Sequence, residues 1–284
     1  MNNMQRRFSA VFIVLCVALC AVLQAHAQQE FTLRYKFEKG KTYRFIDTIN
    51  VKSSQEMMGQ EVKATSTMRA TTDLVATELR GDGTAVLMIS PEAMSITIRS
   101  PQMDTTIAPK EIIGKRTRVA VSPLGTTSKR EVIDTVKFTG LARQVAQREL
   151  VRFHVFPEAP VKVGGTWHSV RPDTNEAMGS KVVTVATMDY SVKGWEKKDG
   201  KESLKISYKG KLSITGKGSM MGTDFFVEGS GTTSGMFYLD TATGLVLVED
   251  STLDMESTVA LTGQQKMTIP SSQSVTTHHI LAAN

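Results

Sequence analysis

The chain has 284 residues, 40% of them hydrophobic and 22% charged, and its 34 Lys and Arg exceed 28 Asp and Glu without forming a basic run. Nucleic-acid binding, which needs basic residues clustered with interleaved aromatics, is disfavoured on that ground. Both cysteines, Cys16 and Cys20, lie before Gln28, so removal of that stretch excludes disulfide staples, CxxC redox chemistry, thiolate metal sites and a cysteine nucleophile.

Arg6 and Arg7 precede an almost unbroken apolar run over residues 8–23, which ends in Gln24-Ala25-His26-Ala27. The run is shorter than the roughly 20 residues of a spanning helix, and Ala25-x-Ala27 supplies the small side chains that signal peptidase requires. We expect a signal peptide over residues 1–27, cleavage near Ala27, and export to the periplasm or the extracellular space. Leu15 and Leu19 stand where a lipobox has Gly, Ala or Ser, which argues against lipidation. No second long apolar stretch follows, so a soluble mature chain is expected. Without Arg6 and Arg7, 32 Lys and Arg face 28 Asp and Glu, a net charge of +4. The mature length suits one large β domain or two smaller ones.

Period-2 alternation dominates the mature chain. Leu33, Tyr35 and Phe37 alternate with Arg34, Lys36 and Glu38, and Val62, Ala64, Met68, Ala70, Leu74 and Ala76 share one parity, as half-buried strands do. The pattern breaks over 135–151, where Phe138, Leu141, Ala142, Val145 and Ala146 recur at helical spacing with Lys137, Arg143, Gln144, Gln147 and Arg148 opposite. This predicts one amphipathic helix of about four turns, capped by Asp134 and followed by Pro157 and Pro160. Alternation then resumes with Val182, Ala186, Met188, Tyr190 and Val192, with Leu204, Ile206, Tyr208, Leu212 and Ile214, and with Leu245, Leu247, Leu253, Met255, Val259 and Leu261. Glycine marks the turns Glu38-Lys39-Gly40, Arg80-Gly81-Asp82-Gly83, Lys198-Asp199-Gly200 and Asp240-Thr241-Ala242-Thr243-Gly244. Strands joined so briefly pair antiparallel.

Glu56-Met57-Met58-Gly59 with Thr67-Met68 reappears as Glu176-Ala177-Met178-Gly179 with Thr187-Met188, and Gly40-Lys41-Thr42-Tyr43 parallels Gly164-Gly165-Thr166-Trp167. A tandem duplication is therefore expected. The expected fold is mainly β: a curved antiparallel meander sheet or half-barrel of two repeat units with the helix between them. Its divisions are a first β unit over 28–130, a helical connector over 131–156 and a second β unit over 157–284, forming one continuous domain.

The segment Phe156-Pro157-x-x-Pro160-Val161-Lys162-Val163-Gly164-x-x-Trp167 and the opening Leu33-x-Tyr35-x-Phe37-x-x-Gly40-x-x-Tyr43, with the two Asp-Gly turns, resemble a family of exported bacterial proteins known only as a domain of unknown function. These motifs are turns and core aromatics, so the resemblance implies a structure and carries over no catalytic residue. The expected architecture also looks like the lipoprotein-carrier class, whose curved sheet cups acyl chains; that likeness is one of architecture alone.

No catalytic centre can be assembled from the sequence, and a non-enzyme without cofactor or metal is expected. The mature histidines His154, His168, His278 and His279 lack metal-ligand spacing and read as surface or edge residues. Met57-Met58 and Met220-Met221 read as packing residues rather than a copper site, since adjacent strand residues face apart. Asp250, Asp254 and Glu256 read as a solvated face opposite lysines, and Gly229-Ser230-Gly231 as turn residues without the spacing of a nucleophile elbow. What remains is an inward face of small residues, among them Ala64, Ser66, Ala70, Thr72, Thr184 and Ala186. A groove lined by Met68, Trp167, Met188 and Tyr190 and lidded by Phe138 and Leu141 would take a lipid or another hydrophobic small molecule. The partner is then that ligand, with contact to a membrane surface; the rival expectation is an envelope scaffold or protein-interaction module with a filled core.

Overall fold

Alternating apolar and polar side chains can bury one face only in a sheet, and the chain forms one very long-stranded sheet. The computed structural model describes residues 30–57, 59–128, 130–134, 151–177, 180–198, 200–220, 223–262 and 266–282. The strands are β1 (Thr42–Met57), β2 (Gln60–Leu79), β3 (Ala85–Ser100), β4 (Met103–Ile107), β5 (Thr117–Val121), β6 (Glu131–Val132), β7 (Thr166–Ala177), β8 (Ser180–Lys198), β9 (Lys201–Met220), β10 (Thr223–Asp240), β11 (Leu245–Thr262) and β12 (Met267–Leu281). Their order is β6-β5-β3-β2-β1-β12-β11-β10-β9-β8-β7, with β4 also on β3, every pairing is antiparallel, and the sheet is not closed. The chain is thus a meander from β7 to β12 whose last strand pairs with β1, from which the meander continues. Both expected β units belong to this single sheet.

Strand turns follow the sequence signals. Gly83 (φ +81°), Gly200 (φ +78°) and Gly244 (φ +71°) end the β2–β3, β8–β9 and β10–β11 connections in the left-handed region, which costs a side chain-bearing residue free energy that glycine avoids.

The core occupies one end of the sheet. Tyr43 and Phe45 at the start of β1, Leu74 and Ala76 late in β2, Leu204, Ile206 and Tyr208 early in β9, and Phe237 and Leu239 late in β10 are all buried. Toward the other end β10 alternates between half-buried and exposed residues from Thr223 to Ser234, with none fully buried. A smaller cluster of Met68, Ala70, Met94, Ile96 and Ile112 lies on β2, β3 and the short 3-10 turn Lys110–Ile112.

At the packed end the sheet rolls toward its apolar face. Trp167 of β7 donates its indole N–H to Val155 O (2.8 Å), while the next residue, Phe156, donates its N–H to Leu124 O just past β5 (2.9 Å). β5 and β7 stand nine strand steps apart in the sheet order, about 43 Å in a flat sheet at about 4.8 Å per step. Neighbouring residues reach both margins only if the margins curl together. The opening segment crosses the same end: Tyr35 N–H bonds Pro123 O and Lys36 N–H bonds Thr243 O in the β10–β11 turn. Leu33, Tyr35 and Phe37 are buried as their alternation predicts. They lie, however, in an extended plug and not in a ladder strand, since only isolated bridges Phe31↔Val161 and Lys39↔Ala76 flank them.

Two further expectations change. Gly229-Ser230-Gly231 lies inside β10 rather than among turn residues. Asp250, Asp254 and Glu256 are exposed, but their cross-strand neighbours are Met236, His278, Thr232, Ser274, Ser230 and Ser272, not lysines. Asp134 accepts from Arg116, through both its backbone N–H and its guanidinium, and the helix it was expected to cap lies outside the described residues. The signal peptide over 1–27 and the predicted helix, apart from the buried Val151, lie outside the described residues.

Candidate functional site

Strand register determines which side chains meet on the apolar face. One cross-strand row runs Val192, Ile206, Phe237, Glu249, His279, Asp47, Ala70 from β8 to β2. An acid, an imidazole and a second acid therefore stand side by side in an otherwise apolar row. The next row runs Trp167, Tyr190, Tyr208, Gly235, Ser251, Thr277, Ile49, Met68 from β7 to β2.

Onto these rows the segment that leads from Val151 to Phe156 adds His154, 3% exposed. Its backbone N–H donates to Tyr35 Oη at 2.9 Å, its ring stacks on Phe237 (centroids 4.1 Å, 11° between planes), and its Nε2 lies 3.1 Å from Glu249 Oε2. Tyr208 Oη donates to the other carboxylate oxygen at 2.6 Å, and Tyr190 Oη lies 3.4 Å from His154 Nδ1. Burial alone would raise the pKa of Glu249; the charge and hydrogen bond of His154, the Arg152 charge and the Tyr208 hydroxyl outweigh it and bring it down to about 2. Glu249 is thus held ionised in the core, as a buried acid must be when partners satisfy its charged form. Burial pushes the phenol of Tyr190 up to about 12, against a hydrogen bond from Ser169, and burial together with the Glu249 charge pushes Tyr208 higher still. Both tyrosines stay neutral donors at physiological pH.

Above this floor lies a hollow of about 200 Å³. Its wall is Thr184, Ala186, Met188, Leu212, Leu253 and Val275, and its polar side is Arg152, His154, Ser169, Arg171, Asp173 and Tyr190. Gly210 and Gly235 let adjoining strands crowd in beneath it: a Cβ on Gly235 would stand 2.5 Å from the Tyr208 ring, and one on Gly210 would overlap the Met188 sulfur.

Of the residues expected to line a groove, Met188 and Tyr190 do so. Trp167 stacks on Tyr190 (4.7 Å, 3°) as part of the supporting core. Met68 shares the row of Trp167 and Tyr190 but packs at the far side in the smaller cluster. Phe138 and Leu141 lie outside the described residues. The reading of all four mature histidines as surface or edge residues is corrected by His154 and His279, both buried beside a carboxylate; His168 and His278 are exposed, paired with Asp189 and Asp250. Sequence reasoning missed His154, Glu249, Arg171 and Asp47. The available signal was parity: Glu249 shares that of Leu247 and Leu253, and Asp47 that of Tyr43 and Phe45.

The opposite face carries a larger hollow of about 910 Å³ along half-buried Ser54 and exposed Ser213, Ser230, Thr232 and Ser272, rimmed by Lys52, Lys63, Lys211 and Glu256. Its lining is exposed or half-buried, with no fully buried residue in it. Among the described residues no three His, Cys, Asp or Glu side chains converge as metal ligands. Compared with protein-family models and with curated proteins, the chain matches none.

Proposed function

We propose that the chain is a non-catalytic, exported binding protein that holds an apolar or lipid-like ligand against the rolled apolar face. The observation that carries this reading is the hollow above Glu249 and His154. Its wall carries Met188, Leu212, Leu253 and Val275 among threonines, its floor is built from buried hydrogen-bonding groups with Tyr35 of the plug bonded to His154, and small Ala186 and Thr184 keep it open where a tight β core would be filled. Export is supported by Arg6, Arg7, the apolar run over 8–23 and Ala25-x-Ala27. A tandem duplication is supported by the matching order of hairpins, β1 to β3 and β7 to β9, and by left-handed Gly40 and Gly164 ahead of Tyr43 and Trp167.

A scaffold or protein-interaction role is the second reading, and the size of the hollow favours it: about 200 Å³ falls below the roughly 300 Å³ at which ligand pockets begin. Native mass spectrometry of the protein purified from its own envelope, before and after organic extraction, separates the two. A near-stoichiometric apolar adduct that extraction removes supports carriage. A clean apo mass that persists after incubation with envelope lipids supports the scaffold.

A further inference from the structure

We propose that the core holds a binding site for one internal water molecule, beside Ala70 on the step from β1 to β2, where the water bridges Asp47 Oδ2 and Thr72 Oγ1.

The row Glu249, His279, Asp47 passes to Ala70 on β2. Asp47 uses one carboxylate oxygen, Oδ1, on His279 Nδ1 at 2.7 Å. Its Oδ2 is buried without a hydrogen-bond partner, and so is the hydroxyl of Thr72, a residue with no exposed surface. Among the described residues these are the two buried side-chain oxygens in that condition, and they are neighbours. Thr72 pairs with Phe45, two residues before Asp47 on the same face of β1, so Asp47 and Thr72 stand diagonally across one ladder. Diagonal neighbours lie about 7–8 Å apart, within reach of side chains that lean together. A carboxylate accepts and a hydroxyl donates, yet no bond joins the two. Through a water, two bonds of about 2.8 Å each close a gap of up to about 5.5 Å.

The surrounding residues supply the room. Ala70, directly opposite Asp47, puts only a methyl group there. Thr72 stands at a break in the β2–β3 ladder, where the partner jumps from Ala93 to Pro91 and Glu92 is skipped, and such bulges loosen the pairing locally. Ligand identity follows from the number of oxygens. A buried water needs two to four polar partners, whereas Ca²⁺ takes about six to eight oxygens, and among the described residues no three acids or histidines converge. Buried polar atoms are almost always paired with protein or ordered water. The water anchors the β12–β1 seam to β2 through the carboxylate oxygen that His279 leaves free.

The test is a crystal structure of the mature protein at atomic resolution. One solvent peak within about 3.2 Å of both Oδ2 and Oγ1 is expected. A direct bond between the two oxygens, with no peak, overturns the site. A peak surrounded by six or more oxygens at about 2.3–2.6 Å overturns the water and makes the occupant a cation. In solution, oxygen-17 magnetic relaxation dispersion registers long-lived internal waters. Ala70→Leu should lower its amplitude by one water relative to the unaltered protein, with Ala70→Val as the smaller replacement should the leucine variant not fold. An unchanged amplitude in a folded variant overturns the proposal.

Discussion

His279 of β12 donates from Nδ1 to Asp47 Oδ1 of β1 at 2.7 Å, buried where the two ends of the meander join. Phe45 stacks on the imidazole (4.9 Å), and Asp47 Oδ2 has no hydrogen-bond partner among the described residues. Removing one member of such a pair leaves the other buried and uncompensated, so His279→Ala should cost about 3 kcal/mol. Replacing both, as Asp47→Val with His279→Leu, should recover most of that, because an apolar pair needs no matching charge. Urea midpoints of the three proteins check this. A double variant no more stable than the single would show that the register itself depends on the polar pair.

Glu249 makes stability depend on acid. Its folded value of about 2 lies below its ordinary 4.5. Its contribution is therefore complete above about pH 4.5 and is lost as pH falls through the folded value, about 3 kcal/mol in all. Asp134, brought down to about 2 by Arg116, titrates in the same window at the surface, so the comparison that isolates the core acid is with Glu249→Gln. Unfolding midpoints between pH 7 and 2.5 should fall steeply in the unaltered protein and more shallowly in the variant. Tyr208→Phe removes a hydrogen bond to the ionised form, so it should raise the folded value and move the acid transition to higher pH.

Alternation and turn glycines made the strands of the second half legible, because Leu204, Ile206 and Tyr208 carry one parity that the sheet then buries. The site was less legible. Tyr190 and Met188 could be placed on the right face from their own strand, but the hollow also needs His154, which arrives from the non-strand segment ahead of β7, and Leu253, Val275 and Arg171, which meet only through register. Local periodicity contains no information on which strands neighbour each other, and the β1–β12 pairing joins residues 232 apart in the chain, as Asp47 and His279 show. For the same reason Leu33, Tyr35 and Phe37 read as a strand: a plug buried between sheet margins has the same alternation as a ladder strand.

Gly235 tests how tightly the floor is set. Its Cβ position lies 2.5 Å from Tyr208 Cζ, and Tyr208 is held by its bond to Glu249, so the ring cannot swing away at low cost. Gly235→Ala should destabilise by about 2 kcal/mol through overpacking. Gly81, with open space around it and ordinary φ, is the control: Gly81→Ala should stay within about 0.5 kcal/mol. Thermal unfolding monitored by circular dichroism measures both.

Ala186 offers the converse change, filling space that is already empty. It stands between Arg171 and Leu212 across the strands and lines the hollow of about 200 Å³. A benzyl group there would occupy room the wall leaves free, so Ala186→Phe should alter stability by less than about 1 kcal/mol, below the usual cost of overpacking a filled core. Binding of decanol, as an apolar probe, should fall by at least ~10-fold, since the obstruction is steric. Lys211→Phe, one residue along β9 from Leu212 and on the solvated face, should leave that affinity unchanged, because successive strand residues point to opposite faces. Loss of binding in Lys211→Phe with retention in Ala186→Phe would move the site to the other side of the sheet.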